Sequence, residues 1–482
     1  MNFKLVIRIL GVLLMIFSAT MLPPIVFSIF YDDGQVAAFF NALLVYLVLG
    51  AILWYPLRHL RAELRLRDGF LVVSTFWVVI GLAGALPFLF SDLQLSLTDA
   101  FFEAVSGLTT TGATILVGLD EMPRSVLYYR HQLQWLGGMG IIVLALAILP
   151  MLGVGGMQLY RAETPGPVKD SKLTPRITET AKALWYIYLG LTVLCMLAYF
   201  FAGMTWFDAL CHSFSTIAIG GFSTHDASIG HFNSPLIDTV AIIFMLIAGM
   251  NFALHFTAYR RWRIKHYFRD AEFRTYLFII FIGVVIVALS LEISDHIDDA
   301  SQATHAAIFQ VVSIATTTGF TTANYSLWPG ALPLLLILLS FIGGCAGSTA
   351  GGMKVIRWLL VFKQGMREVV RLVHPSAEIP VKLANRAVSP RVIDAVWGFF
   401  SVYIVVFGVM MLLMMATGLD QVTAFSAVAA SLNNLGPGLG EVAGNFVSVN
   451  DTAKWISIFA MLLGRLEIFT LLVLFTTAFW EY

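Results

Sequence analysis

Four stretches decide how this chain folds: TDAFFEAVSGLTTTGA at 98–113, FDALCHSFSTIAIGGF at 207–222, HAAIFQVVSIATTTGF at 305–320 and VTAFSAVAASLNNLGP at 422–437. Set in register on Gly112, Gly221, Gly319 and Gly436, they all carry alanine twelve residues earlier, at Ala100, Ala209, Ala307 and Ala424. The position after that alanine is always apolar: Phe101, Leu210, Ile308 and Phe425. Ser106, Ser215 and Ser313 fill a third shared column, from which Ala430 departs. The glycines lie 109, 98 and 117 residues apart. An extracellular loop with a turn glycine explains one such segment. Four copies in register with matching neighbours are an internal repeat.

The rest of the chain says what surrounds the repeats. Of 482 residues, 59% are hydrophobic and 12% charged, about half the charge of a soluble domain. The apolar excess runs through the whole length. That excludes disorder, a nucleic-acid-binding module and a soluble enzyme on a small anchor, and leaves a polytopic membrane protein. Apolar runs at 5–30, 36–57, 69–91, 133–157, 180–203, 236–257, 275–293, 331–362, 393–416 and 453–480 predict ten helical spans. The first, with Lys4 and Arg8 ahead of it, is too long for a signal peptide and has no clear cleavage site. Of the 29 Lys and Arg residues, 25 fall on one side, in loops ending at Arg8, Arg67, Lys182, Arg274 and Arg391. The other side holds only Arg124, Arg130 and Lys454, with many of the acidic residues, such as Asp99, Glu103 and Asp208. The positive-inside rule makes the first side cytoplasmic, with both termini inside. Cys195, Cys211 and Cys345 are far apart, and no CxxC, CxxH or HExxH spacing exists, which argues against a disulfide scaffold and against a zinc site.

Each repeated segment is too short to cross, lies between two spans and begins and ends outside. It reads as a re-entrant half-helix followed by an extended return. Such backbone is tolerated at membrane depth only where it lines a watery cavity or is buried in protein. The expected fold is all-α and polytopic, with four parallel span–half-helix–loop–span repeats around one pseudo-fourfold pore, plus two extra N-terminal spans. The expected boundaries are 1–68 for that N-terminal pair, then 69–160, 161–262, 263–373 and 374–482 for the four repeats.

The four returns read Thr109-Thr110-Thr111-Gly112, Ala218-Ile219-Gly220-Gly221, Thr316-Thr317-Thr318-Gly319 and Asn433-Asn434-Leu435-Gly436. No position offers a ring of charge, and Ile219 and Leu435 have no side-chain ligand. What all four share is backbone carbonyl, and a glycine where unusual dihedrals or close approach are needed. Carbonyl rings replace the hydration shell of a monovalent cation. The half-helix ends add roughly half a negative charge each. Without a carboxylate ring, Ca²⁺ and Mg²⁺ are disfavoured. The outer acidic residues would concentrate cations at the mouth.

Within the span 331–362, the run FIGGCAGSTAGGMKVIRW at 341–358 holds Gly343, Gly344, Gly347, Gly351 and Gly352. Each glycine costs about 1 kcal/mol in a helix relative to alanine, so this helix is expected to open in mid-membrane. Ser348 and Thr349 are placed to satisfy the freed backbone. Close small-xxx-small helix packing is the competing reading. Arg465 lies deep in the last apolar run. An arginine there costs about 2.5–3.5 kcal/mol on insertion scales and needs a partner. Glu467, at i+2, is on another face. Arg465 is therefore expected to face the pore below the returns, to hydrogen-bond the 343–352 loop and to repel cations. A salt bridge with Glu467, or snorkelling towards lipid headgroups, is the alternative.

With TTTGA, TTTGF, the degenerate second and fourth returns and the glycine-rich loop on the page, the chain resembles the Trk/Ktr/HKT superfamily of K⁺ transporters. The resemblance spans essentially the whole chain and is closest to the bacterial Trk-type membrane subunits. It implies a K⁺ selectivity filter at Thr110, Thr111, Gly112, Ile219, Gly220, Gly221, Thr317, Thr318, Gly319, Asn434, Leu435 and Gly436. It implies a gate at Gly343, Gly344, Gly347, Gly351, Gly352 and Arg465. Gly112 in the first filter implies K⁺ preference, where serine would imply Na⁺. Ile219 and Asn434 break the threonine pattern and imply a looser filter. The resemblance further implies K⁺ as the transported ion with no covalent cofactor, the inner membrane of a bacterium, a homodimer, and a cytoplasmic nucleotide-binding regulatory ring of the TrkA type. No GxGxxG or Walker motif occurs in the chain, so nucleotide control must come from such a partner.

The basic run from Arg357 to Arg391 suits either that partner or anionic lipid of the bilayer. The functional alternative is an alternating-access K⁺ symporter coupled to H⁺ or Na⁺. Parallel repeats and a single broken span argue against it. An intramembrane enzyme built on His212, His255 or His305 lacks any nucleophile–base spacing.

Overall fold

The computed structural model describes residues 2–60, 66–140, 177–261, 263–294, 296–297, 299–383 and 386–481. The inner end of the expected fourth span, most of the basic 161–182 segment, Arg61, Arg65, Asp295 and Asp298 lie outside the described residues.

Among the described residues six helical stretches are long and apolar enough to cross: Phe3–Tyr31, Val36–Leu57, Arg67–Phe90, Lys182–Phe201, Ala271–Ile293 and Pro390–Ala416. The first two are the N-terminal pair. They meet at Gly11 and Gly50, where a Cβ on either would come within 2.8 Å of the other's carbonyl oxygen. The remaining four crossing helices open the four repeats.

A half-helix follows each of those four: Leu97–Leu108, Trp206–Ala218, Ala300–Ala315 and Gln421–Leu432. At 12, 13, 16 and 12 residues they are too short to cross. Each begins at a side-chain cap. Ser96, Thr205, Asp299 and Asp420 accept from the amides of Asp99, Asp208, Ser301 and Thr423, which satisfies otherwise orphaned donors at the outer end.

The second span of each repeat closes the ring. Arg124–Trp135 packs on the second half-helix, Pro235–Ala248 on the third, Leu332–Ile342 on the fourth and Asp451–Arg465 on the first. Each repeat thus grips the next, and the fourth returns to the first.

These second spans correct one expectation. The glycine count suggests that only the 341–358 segment breaks. Instead Pro235–Ala248 turns by 92° into Phe252–Arg260, and Asp451–Arg465 turns by 106° into Phe469–Phe475. The first repeat has a π-helical turn at Leu136–Gly140. The reason is packing. A Cβ on Gly137 would lie 1.8 Å from Leu108 O, and one on Gly464 would lie 2.1 Å from Leu432 O. In repeats one and four the half-helix end presses so closely on the second span that the helix cannot run straight past it, and at the bend of repeat two a Cβ on Gly249 would lie 2.4 Å from the Tyr276 hydroxyl. One glycine is enough to mark such a bend, so counting glycines underestimates it.

The third repeat breaks as expected, into Leu332–Ile342 and Val355–Val373 with an intramembrane loop between. The second piece ends at His374, ahead of Pro375. A short antiparallel pair, Lys382–Leu383 with Arg386–Ala387, follows.

Candidate ion-conduction site

Each half-helix ends in the same backbone figure. The residue two before the key glycine is left-handed, with φ of +54° at Thr110, +55° at Ile219, +64° at Thr317 and +53° at Asn434. The glycines repeat it: +82° at Gly112, +77° at Gly221, +83° at Gly319 and +98° at Gly436. The residue between donates its amide back into the half-helix. Thr111 bonds Ser106 O, Gly220 bonds Ser215 O, Thr318 bonds Ser313 O and Leu435 bonds Ala430 O, all at 2.8–2.9 Å. A β-branched isoleucine or threonine rarely adopts positive φ. Three of the four copies hold such a residue there, so the surroundings impose the conformation.

The four figures meet. A Cβ built on Gly112 would sit 2.1 Å from Gly220 O. One on Gly221 would sit 2.0 Å from Thr318 O, one on Gly319 2.2 Å from Leu435 O, and one on Gly436 2.6 Å from Thr111 O. Each glycine abuts the carbonyl one residue before the next repeat's glycine, and the fourth abuts the first. That cyclic order places four carbonyls around one axis. The ring can be this tight only because every abutting position is glycine.

Differences among the copies lie behind the backbone. Thr109 and Thr111 share a hydroxyl hydrogen bond of 2.8 Å, as do Thr316 and Thr318 at 2.7 Å. In the second copy Gly220 has no side chain, and Gln134 fills the space. Its amide donates to Gly220 O at 2.6 Å and its oxygen accepts from Phe222 N at 3.1 Å. In the fourth copy Asn434 donates to Thr111 Oγ1 and Met461 O, both at 3.0 Å. Two of the three shared serines brace the return. Ser106 donates to Ala113 O at 2.5 Å and Ser313 to Phe320 O at 2.7 Å. Where Ala430 departs, Ser426 serves instead, donating to Leu439 O at 3.0 Å.

Composition gave no hint of a buried ion pair behind the first two returns. Glu103 and Arg130 meet at 2.7 Å, both almost wholly buried. Glu103 also accepts from Thr114 Oγ1 and Ile115 N at 3.0 Å, while Arg130 donates to Ser223 O at 3.2 Å. From the sequence both fall on the outer side, and only Glu103 counts among the acidic residues expected at the mouth. The signal available was their position: a carboxylate inside a half-helix and an arginine inside a span each need a partner.

Beneath the ring lies the glycine-rich loop, and it touches three of the four returns. Thr349 Oγ1 donates to Ile217 O at 2.9 Å, just before the second. Gly351 N donates to Thr317 Oγ1 at 2.7 Å in the third. Gly352 N donates to Asn433 O at 3.1 Å in the fourth. Arg465 supplies the first, donating to Thr110 Oγ1 at 3.3 Å and to the loop at Thr349 O, also at 3.3 Å. It also donates to Gly137 O, and to Gly138 O at 2.7 Å. Gly343, Gly347 and Gly352 have φ near +70°. A Cβ on Gly351 would fall 1.9 Å from Asn433 O, and one on Gly344 would fall 2.6 Å from Ala350 Cβ. Glu467 pairs with Arg357, not with Arg465.

The bent second span of repeat two receives the loop. Cys345 N donates to Gly249 O at 2.9 Å and Phe252 N to Gly347 O at 3.0 Å. Glu272 accepts from Ala346 N at 2.7 Å and Ile356 N at 3.2 Å. The tempting histidines are spent on structure. His212 bonds Asp208 O and Ser223, and His255 bonds Tyr267 and Ile247 O.

Residues 35–482 match the family profile described as TrkH, cation transport protein. The chain belongs to the TrkH family. It is 58% identical over 482 residues to the Trk system potassium uptake protein TrkH of Escherichia coli K12, covering all of both chains. It is 58% identical over 483 residues to TrkH of Halomonas elongata, again covering all of both. To TrkG of Escherichia coli K12 it is 41% identical, covering 99% of each. The crystal structure of the potassium transporter TrkH from Vibrio parahaemolyticus superposes with a TM-score of 0.91 at 55% identity, over all of both chains. The expected all-α, pseudo-fourfold pore architecture is therefore correct, and the chain is a multi-pass protein of the bacterial inner membrane.

Proposed function

We propose that this chain carries K⁺ into the cell through the four-repeat pore. K⁺ would be held by backbone carbonyls of the segments ending in Gly112, Gly221, Gly319 and Gly436. The observation that carries this is the cyclic contact of each glycine with the next repeat's carbonyl. A ring of neutral dipoles at fixed spacing replaces water around a weakly hydrated monovalent cation. It offers little to an anion or to a divalent ion that prefers carboxylates.

The loop at 343–352 and Arg465 act as the gate, drawn here closed. Backbone amides and a guanidinium occupy the Thr110, Thr317 and Asn433 acceptors at the inner end of the filter, so an ion leaving it finds donors where it needs oxygens. Three broken second spans remove the distinction that breakage offered against an alternating-access carrier. The parallel, closed ring supplies that distinction instead. The basic cytoplasmic face is the docking side for a nucleotide-binding regulatory ring of the TrkA type, and the chain works as a homodimer.

The test is uptake of K⁺, Rb⁺ and Na⁺ into proteoliposomes holding this chain alone, with Gly112→Ser beside it. K⁺ and Rb⁺ should enter ahead of Na⁺, and Gly112→Ser should narrow the gap. A preference for Na⁺ in the unaltered chain rejects the substrate.

A further inference from the structure

The outer returns of the first two repeats bring three metal-ligating groups together. His225 lies four residues past Gly221, and Asp120 eight past Gly112. His231 sits in the short turn Ser228–Phe232. The imidazoles of His225 and His231 stack face to face, with centroids 3.5 Å apart and planes 2° from parallel. Phe232 stands edge-on to both rings. Both rings present Nδ1 to the same oxygen of Asp120. His225 hydrogen-bonds it, and His231 stands 3.8 Å away. One ligand atom from each of the three lies within 4.8 Å of the others.

Two imidazole nitrogens and one carboxylate oxygen are a donor set for a borderline divalent ion, with a fourth position left for water. Ligand bonds of about 2.0–2.2 Å are reached if Asp120 swings away from His225 and the two imidazoles, now parallel, turn so that their ring planes converge on the ion. The hydrogen bond from His225 holds the Asp120 carboxyl below its usual pKa, so it is a carboxylate at neutral pH. Burial opposes a charge on His225, but the neighbouring Asp208 and Asp120 carboxylates outweigh it and raise its pKa.

A second carboxylate backs the site. Asp208 Oδ1 lies 3.6 Å from the other nitrogen of His225, and the Thr205 and Thr224 hydroxyls hold Asp208 at 2.6 and 2.7 Å. A carboxylate behind a ligating histidine orients it and raises its basicity. Asp226 accepts from the amides of Gly118 and Leu119 at 3.0–3.2 Å, which ties the Asp120 turn to the His225 segment. The Asp120 and His231 side chains are 45% and 43% exposed, so an ion can arrive from the outer water.

We propose that Asp120, His225 and His231 form an outward-facing site for a divalent transition-metal ion of the Zn²⁺ class, and that the bound ion slows cation entry. The slowing rests on the transport reading above. Two positive charges would stand beside the mouth, and the ion would clamp the outer returns of repeats one and two. The binding stands on geometry alone.

The test uses the purified full-length chain, stripped with chelator and titrated with ZnCl₂ by calorimetry. One Zn²⁺ per chain should bind and raise the melting midpoint. His225→Ala and His231→Ala should each weaken binding by more than about 100-fold, since even an outer partner such as Asp208 is worth about 10- to 100-fold. Asp120→Asn keeps the hydrogen bond, removes the charge and should also lose the metal. In proteoliposomes, external Zn²⁺ should slow Rb⁺ uptake by the unaltered chain and spare His231→Ala. Absence of binding, or equal binding by the unaltered chain and the double histidine variant, overturns the site. Histidine-dependent binding without effect on uptake overturns the slowing. Absence of uptake without Zn²⁺ overturns the transport reading and, with it, the slowing, while calorimetry still decides the site.

Discussion

Gly112→Ala, set against Gly34→Ala, separates the cost of a conformation from the cost of a collision. Gly112 has φ +82° and Gly34 has φ +77°, so either substitution forces a side chain into the left-handed region at about 1–2 kcal/mol. Around Gly34 an added Cβ meets nothing within 4 Å. At Gly112 it lies 2.1 Å from Gly220 O, where real contacts do not come closer than 3.0 Å. The carbonyl must retreat by about 0.9 Å, away from the ring and against the Gln134 amide bonded to it. Contacts between a polar group and a charge contribute about 1.5–3 kcal/mol, and about 1.4 kcal/mol is a factor of ten in rate. Losing one such carbonyl should slow K⁺ entry by roughly ten- to a hundredfold. Rb⁺ and Na⁺ uptake into proteoliposomes, beside melting midpoints in detergent, reads both effects. Gly112→Ala should lose uptake and discrimination and melt below Gly34→Ala, which carries the conformational cost without the collision. If the two variants transport alike, the carbonyl ring is not where the ion is selected.

Three further outcomes follow from the site. Arg465→Ala should raise K⁺ uptake by the chain without a regulatory partner; unchanged or lower uptake with an intact fold counts against a barrier there. Cys345 is 2% exposed inside the loop, while Cys195 and Cys211 are fully buried. A thiol reagent from the cytoplasmic side should therefore label Cys345 faster in Arg465→Ala than in the unaltered chain, and equal rates would mean that Arg465 does not hold the loop. Glu103→Ala and Arg130→Ala each leave a buried charge alone and should destabilise by about 3–5 kcal/mol. The double variant should melt well above the midpoint expected from adding the two losses, and simple additivity would mean that the pair is not coupled.

The part of this protein that is legible in its sequence is the part written in four copies. A single TTTG run is a turn, but a glycine that keeps its alanine twelve residues away through four copies must serve a shared geometry. The four left-handed residues ahead of the glycines are not legible. Thr110, Ile219 and Thr317 are β-branched, a class that avoids positive φ, and Asn434 differs from all three, so their positive φ is imposed by the ring and not chosen by the residue. Glu103 and Arg130 are misread for the same reason. They lie 27 positions apart on two elements, and only the folded half-helix brings them together. Asp120, His225 and His231 come from two different repeats, so no local spacing announces them.

The bends in the second spans carry this furthest, because the sequence motif and its structural consequence lie on different elements. The glycines at 343–352 open one helix, and an open helix in a membrane leaves backbone groups that water cannot satisfy. Cys345 N and Gly347 O find theirs at Gly249 O and Phe252 N, available only because the neighbouring span turns there. Thr349 O finds Arg465, at the turn of the last span. The breaks in repeats two and four therefore complete the break in repeat three. A loop whose polar groups are met by two other bent helices cannot move alone. When it moves, Gly249–Phe252 and Arg465–Phe469 must exchange those hydrogen bonds for others. Opening is on this account a concerted change at three hinges, and a substitution that straightens either receiving helix should unseat the loop without touching it.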